Sequence, residues 1–194
     1  MRVVTPPSIH FLFRHPAHFI ALGGGAGLAR HAPGTLGTLL AVPLAWLLRH
    51  YVGDAGFVVA ICALLVGGAW AAQVTGQALG VPDHGGIVID EVAAFLLVLF
   101  LVGPDPRKQV LAFVLFRAFD IFKPPPIRAL DLALKNGIGV MLDDVLAAAY
   151  TLVVMAVGQR VLERAPTATP ELDVRLVVGT LDGLRMSGLN SGEP

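Results

Sequence analysis

The sequence is poor in charged residues. Asp, Glu, Lys and Arg make up 14% of the 194 residues, against about 25% in an average soluble domain. With glycine counted, about two thirds of the residues are apolar, against about 45–50% in soluble proteins. A soluble protein of this length needs many more polar residues to cover its surface. The composition therefore predicts an integral membrane protein and excludes a largely disordered chain, which requires low hydrophobicity and high net charge.

The sequence also lacks an excess of basic residues and a second cysteine. Its 14 Lys and Arg residues balance 14 Asp and Glu residues, and no basic run occurs, so we expect no nucleic-acid partner. Cys62 lies alone in an apolar stretch, which excludes an intramolecular disulfide and a cysteine-based zinc site. These features make no prediction of the oligomeric state.

Five apolar stretches are candidates for crossing the roughly 30 Å hydrocarbon layer of a bilayer. They are rich in Leu, Ala, Val and Phe without period-2 alternation, which favours helices over barrel strands. The fourth is short for a full crossing. We therefore predict an all-α integral membrane bundle of about five hydrophobic helices. In chain order the stretches are residues 35–51, 56–79, 87–102, 109–122 and 138–162.

The two ends of the chain differ from this apolar block. Residues 10–22 mix apolar side chains with Arg and His, which suits an interfacial amphipathic segment and equally an ordinary surface helix. After Arg164 the chain gains Pro, Ser and Thr and has no long apolar run, which is typical of a flexible tail. We predict a helical membrane domain over residues 1–164, including the interfacial segment, and a flexible tail over residues 165–194.

Seven ionisable side chains lie within or next to the apolar stretches. A centrally placed Asp or Arg costs on the order of 2.5–3.5 kcal/mol in a membrane helix, so such residues are functional candidates by default. If the stretches cross alternately, all seven fall at one membrane face. A slight excess of Arg and Lys on that side favours the cytoplasm. The residues are Asp90, Glu91, Arg117, Asp120, Lys123, Asp143 and Asp144.

The three charges of the fourth stretch share one helix face, because they are spaced three residues apart. One interpretation is a structural ladder of ion pairs. The functional interpretation makes Asp120 a metal ligand or a base, with Arg117 and Lys123 holding an anion. Arg offers phosphate oxygens a planar fork of donors, and Lys offers a point charge.

Two adjacent acid pairs, one in the third stretch and one in the fifth, add four carboxylates. Several carboxylates without cysteine ligands predict a hard cation, with Mg²⁺ preferred to Ca²⁺ or Zn²⁺. The alternative is that these acids only stabilise helix N-termini through the macrodipole. The candidate metal ligands are Asp90, Glu91, Asp120, Asp143 and Asp144.

Two glycine-containing motifs supply further candidates. His84 lies in D-H-G-G just before the third stretch, where it is either a hydrogen-bonding loop residue or a catalytic group. The string P-G-T-L-G-T at residues 33–38 offers backbone N–H groups and the Thr35 hydroxyl to an anion at a helix start. We take Thr35, together with Arg117 and Lys123, as candidate phosphate-binding residues.

These motifs resemble those of bacterial phosphatidylglycerophosphatase A. The matching strings are A-P-G-T-L-G-T at 32–38, D-H-G-G-I-V-I-D-E at 83–91, F-R-A-F-D-I-F-K-P-P-P-I at 116–127 and G-I-G-V-M-L-D-D at 137–144. Their order and spacing also agree, and the resemblance covers about residues 15–160. Ala32 and Thr38 are mild departures, at positions where Ser is expected or common. The resemblance adds Asp131 to the polar set.

The resemblance implies an all-helical enzyme of the bacterial inner membrane, and from the Arg and Lys count we expect its active site to face the cytoplasm. The enzyme would use Mg²⁺ to hydrolyse the phospholipid phosphatidylglycerophosphate to phosphatidylglycerol and phosphate. The catalytic candidates are Asp120, Asp90, Glu91, Asp143, Asp144 and His84. Both a carboxylate and a metal-bound water stay open as the nucleophile.

Two other classes of protein stay open beside the enzyme. One is a small ion or solute transporter, whose membrane carboxylates form a pathway. It needs polar groups at several depths, whereas the predicted charges gather at one face. The other is a non-catalytic helical protein in which the charges are structural ion pairs.

Overall fold

The structure is a computed structural model that describes residues 7–164. The predicted tail, residues 165–194, lies outside the described residues. Helices up to Gly158 form one compact unit, and from Gln159 onward only the end of the last helix is described. All regular secondary structure over residues 7–164 is helical, which confirms the predicted all-α class. The α-helices are α1 (Ile9–Leu12), α2 (Pro16–Ala21), α3 (Pro33–Tyr51), α4 (Gly53–Leu79), α5 (Ile89–Val102), α6 (Pro106–Phe122), α7 (Ile127–Ala133) and α8 (Gly137–Arg164), with a 3₁₀ segment at Gly23–Leu28.

Each of the five predicted stretches is a helix, and their ends agree within three residues. The short helix, however, is α5 rather than α6. Helix α5 has 14 residues and α6 has 17, or about 21 Å and 26 Å at 1.5 Å per residue. Ile87 and Val88 continue the apolar sequence but precede the helix, because the Val88 N–H donates to the Ala21 carbonyl (2.9 Å) outside α5.

Helix α5 forms the centre of the bundle. Helices α3, α4 and α6 all pack against it. Its side chains Phe95, Leu96, Val98 and Leu99 are fully buried. At its C-terminal end, Arg49 of α3 donates through Nη2 to the carbonyls of Leu99 (2.7 Å) and Phe100 (3.0 Å). The Leu99 carbonyl also accepts the Gly103 N–H (3.1 Å), and Phe100 lies in the last turn, where carbonyls lack helical partners. Arg49 thus caps the C-terminal end of α5, and the N-terminal end carries the acids.

Residues 10–22 are more deeply integrated than an interfacial or surface helix. Helix α2 packs against α4, and Ala17, Ala21 and Leu22 are completely buried. His18 is also buried, and its Nδ1 lies 3.0 Å from Thr75 Oγ1 on α4. The small alanines allow this close packing, so α2 is a structural layer of the bundle.

Two of the helices within residues 7–164 are long and apolar enough to cross a membrane. Helix α4 has 27 residues and a mean hydropathy of 2.2, and α8 has 28 residues and a mean hydropathy of 1.9 over their most apolar windows. Only 28% and 39% of these windows is buried in the bundle, whereas the core helix of a soluble protein would be mostly buried. The exposed remainder includes Val59, Val66 and Val157. Apolar surface of this extent suits contact with lipid and indicates membrane association.

A pair of glycines on α8 tests its packing against α4. The Gly137 N–H donates to Gln73 Oε1 (2.7 Å), and an added Cβ would collide with the Ala69 carbonyl oxygen. Gly137→Ala should therefore lower the thermal unfolding midpoint in detergent, because overpacking costs about 1–3 kcal/mol. Gly158→Ala is the matched control, since a Cβ there meets nothing within 4 Å. Equal midpoints for the two variants would contradict the close approach of α8 to α4.

Candidate active site

Three carboxylates from two helices meet in the bundle. Asp90 and Glu91 lie in the first turn of α5, and Asp144 lies two turns into α8. One oxygen from each lies within 4.8 Å of the other two. Asp90 is 7% exposed and Asp144 is 3% exposed. Helices far apart in sequence therefore bring together acids that the sequence analysis had placed in separate pairs.

Each of these acids has one buried oxygen that accepts no hydrogen bond from any group within the described residues. The atoms are Asp90 Oδ1, Glu91 Oε2 and Asp144 Oδ2. Burying charged oxygens without a partner is strongly unfavourable. Three carboxylate donors with free oxygens, and no sulfur or imidazole among them, match the preference of a hard divalent cation. We call Asp90, Glu91 and Asp144 the carboxylate cluster.

Arg117 of α6 lies beside the carboxylate cluster. Its Nη1 lies 2.6 Å from Asp120 Oδ2 and 3.6 Å from Glu91 Oε1, and it donates to Thr38 Oγ1 at 3.4 Å. The carboxyl group of Asp120 also lies close to those of Glu91 and Asp144. The buried Arg117 Nε has no hydrogen-bond partner in the described part of the chain. Asp120 and Thr38 thus orient the guanidinium through Nη1 alone.

Lys123 forms a second cationic contact, with α8. Its Nζ lies 2.5 Å from Asp143 Oδ2, while Asp143 Oδ1 accepts the Asp144 N–H at 3.1 Å. The backbone of Lys123 is left-handed (φ 43°, ψ 65°) where α6 ends, and the three prolines that follow cannot continue the helix. This geometry directs the chain out of α6 and sets Lys123 against α8.

The predicted metal-ligand set of five acids therefore divides in the structure. Three form the carboxylate cluster, Asp120 is paired with Arg117, and Asp143 is paired with Lys123. The site thus contains ion pairs, as the structural interpretation of the charges expects. It also contains acid oxygens that have no partner among the described residues. Both features belong to one site at the start of α5, the end of α6 and the first turns of α8.

Gly34 and Thr38 are positioning residues, although the sequence predicted no role for Gly34 and indicated Thr38 only as a departure from the family motif. A Cβ on Gly34 would collide with Glu91 Oε1 and lie 3.2 Å from Arg117 Nη1. Thr38 Oγ1 donates to the Gly34 carbonyl (2.9 Å) and accepts from Arg117. The signal lies in G-T-L-G-T, where Gly34, Gly37 and Thr38 share one helix face. Thr35 is half-buried in the first turn of α3, and its phosphate-binding role stays a prediction.

His84 is a half-buried residue of the loop before α5. Its Nδ1 accepts the Gly86 N–H at 3.0 Å, which is the contact expected of a hydrogen-bonding loop residue. Burial lowers the pKa of the His84 imidazole, although the nearby Asp83 opposes this shift. His84 is not part of the carboxylate cluster as the described residues define it. The catalytic role of His84 therefore stays a prediction. Asp131, which the resemblance added to the polar set, belongs to α7.

Comparisons with known proteins agree with the resemblance seen in the motifs. The model of the phosphatidylglycerophosphatase A family matches residues 19–159. Phosphatidylglycerophosphatase A of Haemophilus influenzae is 44% identical over 144 residues, which cover 73% of this chain and 87% of the relative. The Escherichia coli protein of the same name is 35% identical over 134 residues, covering 69% and 77%. No solved structure matches significantly.

A third relative carries a different name. A protein of Bacteroides thetaiotaomicron, provisionally named a phosphatidylinositol-3-phosphatase, is 35% identical over 151 residues. The alignment covers 74% of this chain and 93% of the relative. All three names are those of phosphatases, and these relatives indicate that the helical protein is a phosphatase. The chain belongs to the phosphatidylglycerophosphatase A family.

Gly34→Ala tests whether close approach of α3 holds the site together. The added methyl group would displace Glu91 or Arg117, so phosphatase turnover should fall at least about tenfold, equivalent to roughly 1.4 kcal/mol in barrier. Gly67→Ala on α4 is the control, because its Cβ meets nothing within 4 Å. Phosphate release is measured at matched amounts of folded protein. Wild-type turnover by Gly34→Ala would show that α3 does not position the acids.

Proposed function

We propose that the protein hydrolyses the terminal phosphate of phosphatidylglycerophosphate, giving phosphatidylglycerol and phosphate, with Mg²⁺ bound by the carboxylate cluster. The observation that carries the proposal is the carboxylate cluster, in which Asp90 and Asp144 are buried and Glu91 is partly buried. Each acid has one oxygen without a partner among the described residues, and Arg117 and Lys123 lie beside them. The names of two relatives support the substrate. The donor set supports Mg²⁺, which typically uses a few carboxylates and completes its shell with water and substrate phosphate.

The proposal includes a location and an orientation. The bundle spans the bacterial inner membrane several times, and the start of α5, the end of α6 and the first turns of α8 face the cytoplasm. Exposed apolar side chains on α4 and α8 support the embedding. The acyl chains of the substrate then stay in the bilayer, while its phosphate meets the charged residues at the membrane face.

The cationic side chains bind and orient the phosphate. Arg117 offers the phosphate the guanidinium donors that Asp120 and Thr38 leave unused, because these two residues hold only its Nη1. Lys123 adds a positive charge that stabilises charge developing on the phosphate oxygens. When bound, Mg²⁺ supplies further charge neutralisation and Lewis acidity.

Asp120 serves as the base in this proposal. Water attacks phosphorus, the bond to the glycerol oxygen breaks, and Asp120 accepts the proton from the attacking water. Asp120 then returns this proton to the departing glycerol oxygen, which leaves as a hydroxyl group. Asp143, held by Lys123, keeps the start of α8 in register with the end of α6.

Metal dependence is the first test of this function. Excess EDTA should abolish phosphate release from phosphatidylglycerophosphate, and added Mg²⁺ should restore it, because the buried carboxylates need a cation. The assay uses purified protein in detergent and measures inorganic phosphate. Full activity in excess chelator would remove the metal from the proposal.

Asp120→Asn tests the proposed base. The change keeps the shape of the side chain and removes its charge, so turnover should fall at least about a hundredfold, roughly 2.7 kcal/mol in barrier. Asp105→Asn is the matched control at the other end of α6, where Asp105 Oδ1 only accepts the Arg107 N–H (2.9 Å) and Asn is an equally good N-cap. Near-wild-type turnover by both variants would leave Asp120 as a structural ion-pair partner.

Phosphatidylinositol 3-phosphate is a second candidate substrate, because a relative carries the corresponding name. The two lipids share a terminal phosphate monoester and differ in the group that bears it. We expect kcat/KM for phosphatidylglycerophosphate to exceed that for phosphatidylinositol 3-phosphate at least about tenfold, which corresponds to roughly 1.4 kcal/mol of discrimination. The reverse ratio would assign the chain to the second substrate.

A further inference from the structure

A cavity of about 260 Å³ lies next to the site and has no role in the mechanism above. Its walls come from Pro7, from the end of the 3₁₀ segment with the loop before α3, and from the loop before α5. Arg30 and Pro33 line it from the first loop, and His84 and Gly86 line it from the second. Pro33 immediately precedes Gly34, which packs directly against the Glu91 side chain. Because neighbouring residues of a chain are only about 3.8 Å apart, the cavity adjoins the N-terminal end of α3, which packs against Glu91.

The 3₁₀ segment that precedes the first loop is packed closely against the second loop through two glycines, Gly27 and Gly86. A Cβ on Gly27 would collide with the Gly86 carbonyl oxygen, and a Cβ on Gly86 would lie 2.9 Å from the Gly27 carbonyl oxygen. Between Arg30 and Pro33, Ala32 adopts a left-handed conformation (φ 47°), which costs an alanine roughly 1–2 kcal/mol. Strain of this kind is found where a local conformation serves a site.

The polar groups of the cavity suit an anion. Arg30 carries a positive charge, and the structure gives it no ion pair within residues 7–164. His84 Nδ1 accepts the Gly86 N–H, so the proton of the neutral ring resides on Nε2, which is then a donor. A guanidinium and an imidazole N–H together match the oxygens of a phosphate.

We infer that this cavity binds the phosphodiester of the substrate through Arg30 and His84, and that Arg30 determines specificity for lipids with two phosphates. The inference rests on the proposed function. Phosphatidylglycerophosphate carries a terminal monoester and, one glycerol unit away, a phosphodiester. The monoester binds beside the carboxylate cluster, and the phosphodiester binds in the adjoining cavity.

The experiment compares two short-chain substrates in detergent micelles. Dioctanoyl phosphatidylglycerophosphate carries both phosphates, whereas dioctanoyl phosphatidic acid carries a monoester and no phosphodiester. Arg30→Gln should lower kcat/KM for the first at least about tenfold, mainly through KM, and change the second less than about twofold. Arg107→Gln, at the start of α6, is the charge-matched control and should change neither. Arg30 is exposed, so its substitution leaves the core intact.

A binding measurement gives an independent readout. Glycerophosphoglycerol is a soluble phosphodiester that lacks the monoester, and it should inhibit the wild type competitively. Its inhibition constant should rise at least about tenfold in Arg30→Gln and stay unchanged in Arg107→Gln. An unchanged inhibition constant, or an equal loss on both lipids, overturns the subsite while the proposed function stands. A wild type that does not hydrolyse phosphatidylglycerophosphate overturns the proposed function, and the inference with it.

Discussion

The approach of three carboxylates, two buried and one partly buried, to within 4.8 Å of one another is the constraint on which the rest of the site depends. Like charges at this distance repel, and removing them from water makes the repulsion stronger. The neighbouring contacts act against this cost. Arg117 reaches both Glu91 and Asp120, and Lys123 pairs with Asp143 next to the cluster. The oxygens that stay without a partner among the described residues are the reason to assign a cation there.

The scaffold brings these groups together through close backbone contacts. Gly34 at the start of α3 lets this helix approach Glu91, and Gly137 at the start of α8 lets that helix approach α4. A Cβ at either glycine would collide with the neighbouring atoms. Helix α5 is short and central, and Arg49 closes its C-terminal end, so its acidic N-terminal end lies at the junction with α6 and α8. Rigid packing around a charged site suits catalysis, because oriented groups need no reorganisation when charge develops.

Much of the fold was predictable because hydrophobic stretches report helices directly. The convergence of the charges followed from alternating directions of the five stretches. The sequence did not predict which acids form the carboxylate cluster and which form ion pairs. Adjacent residues such as Asp143 and Asp144 point about 100° apart, so the rotation of the helix decides their partners. Gly34 was missed because its role is to lack a side chain. The predicted third stretch began at Ile87, two residues before α5, because apolar composition alone does not separate a buried loop from the start of a helix.

Direct measurement of metal binding tests the central claim most closely. Mn²⁺ is a paramagnetic substitute for Mg²⁺ with the same preference for oxygen ligands, and its binding to purified protein is followed by electron paramagnetic resonance. Wild type should bind Mn²⁺, and Asp144→Asn should weaken binding at least about tenfold, roughly 1.4 kcal/mol. Asp54→Asn, in the first turn of α4, should bind as the wild type does. Absence of binding in the wild type, or equal binding by Asp144→Asn, would contradict the account.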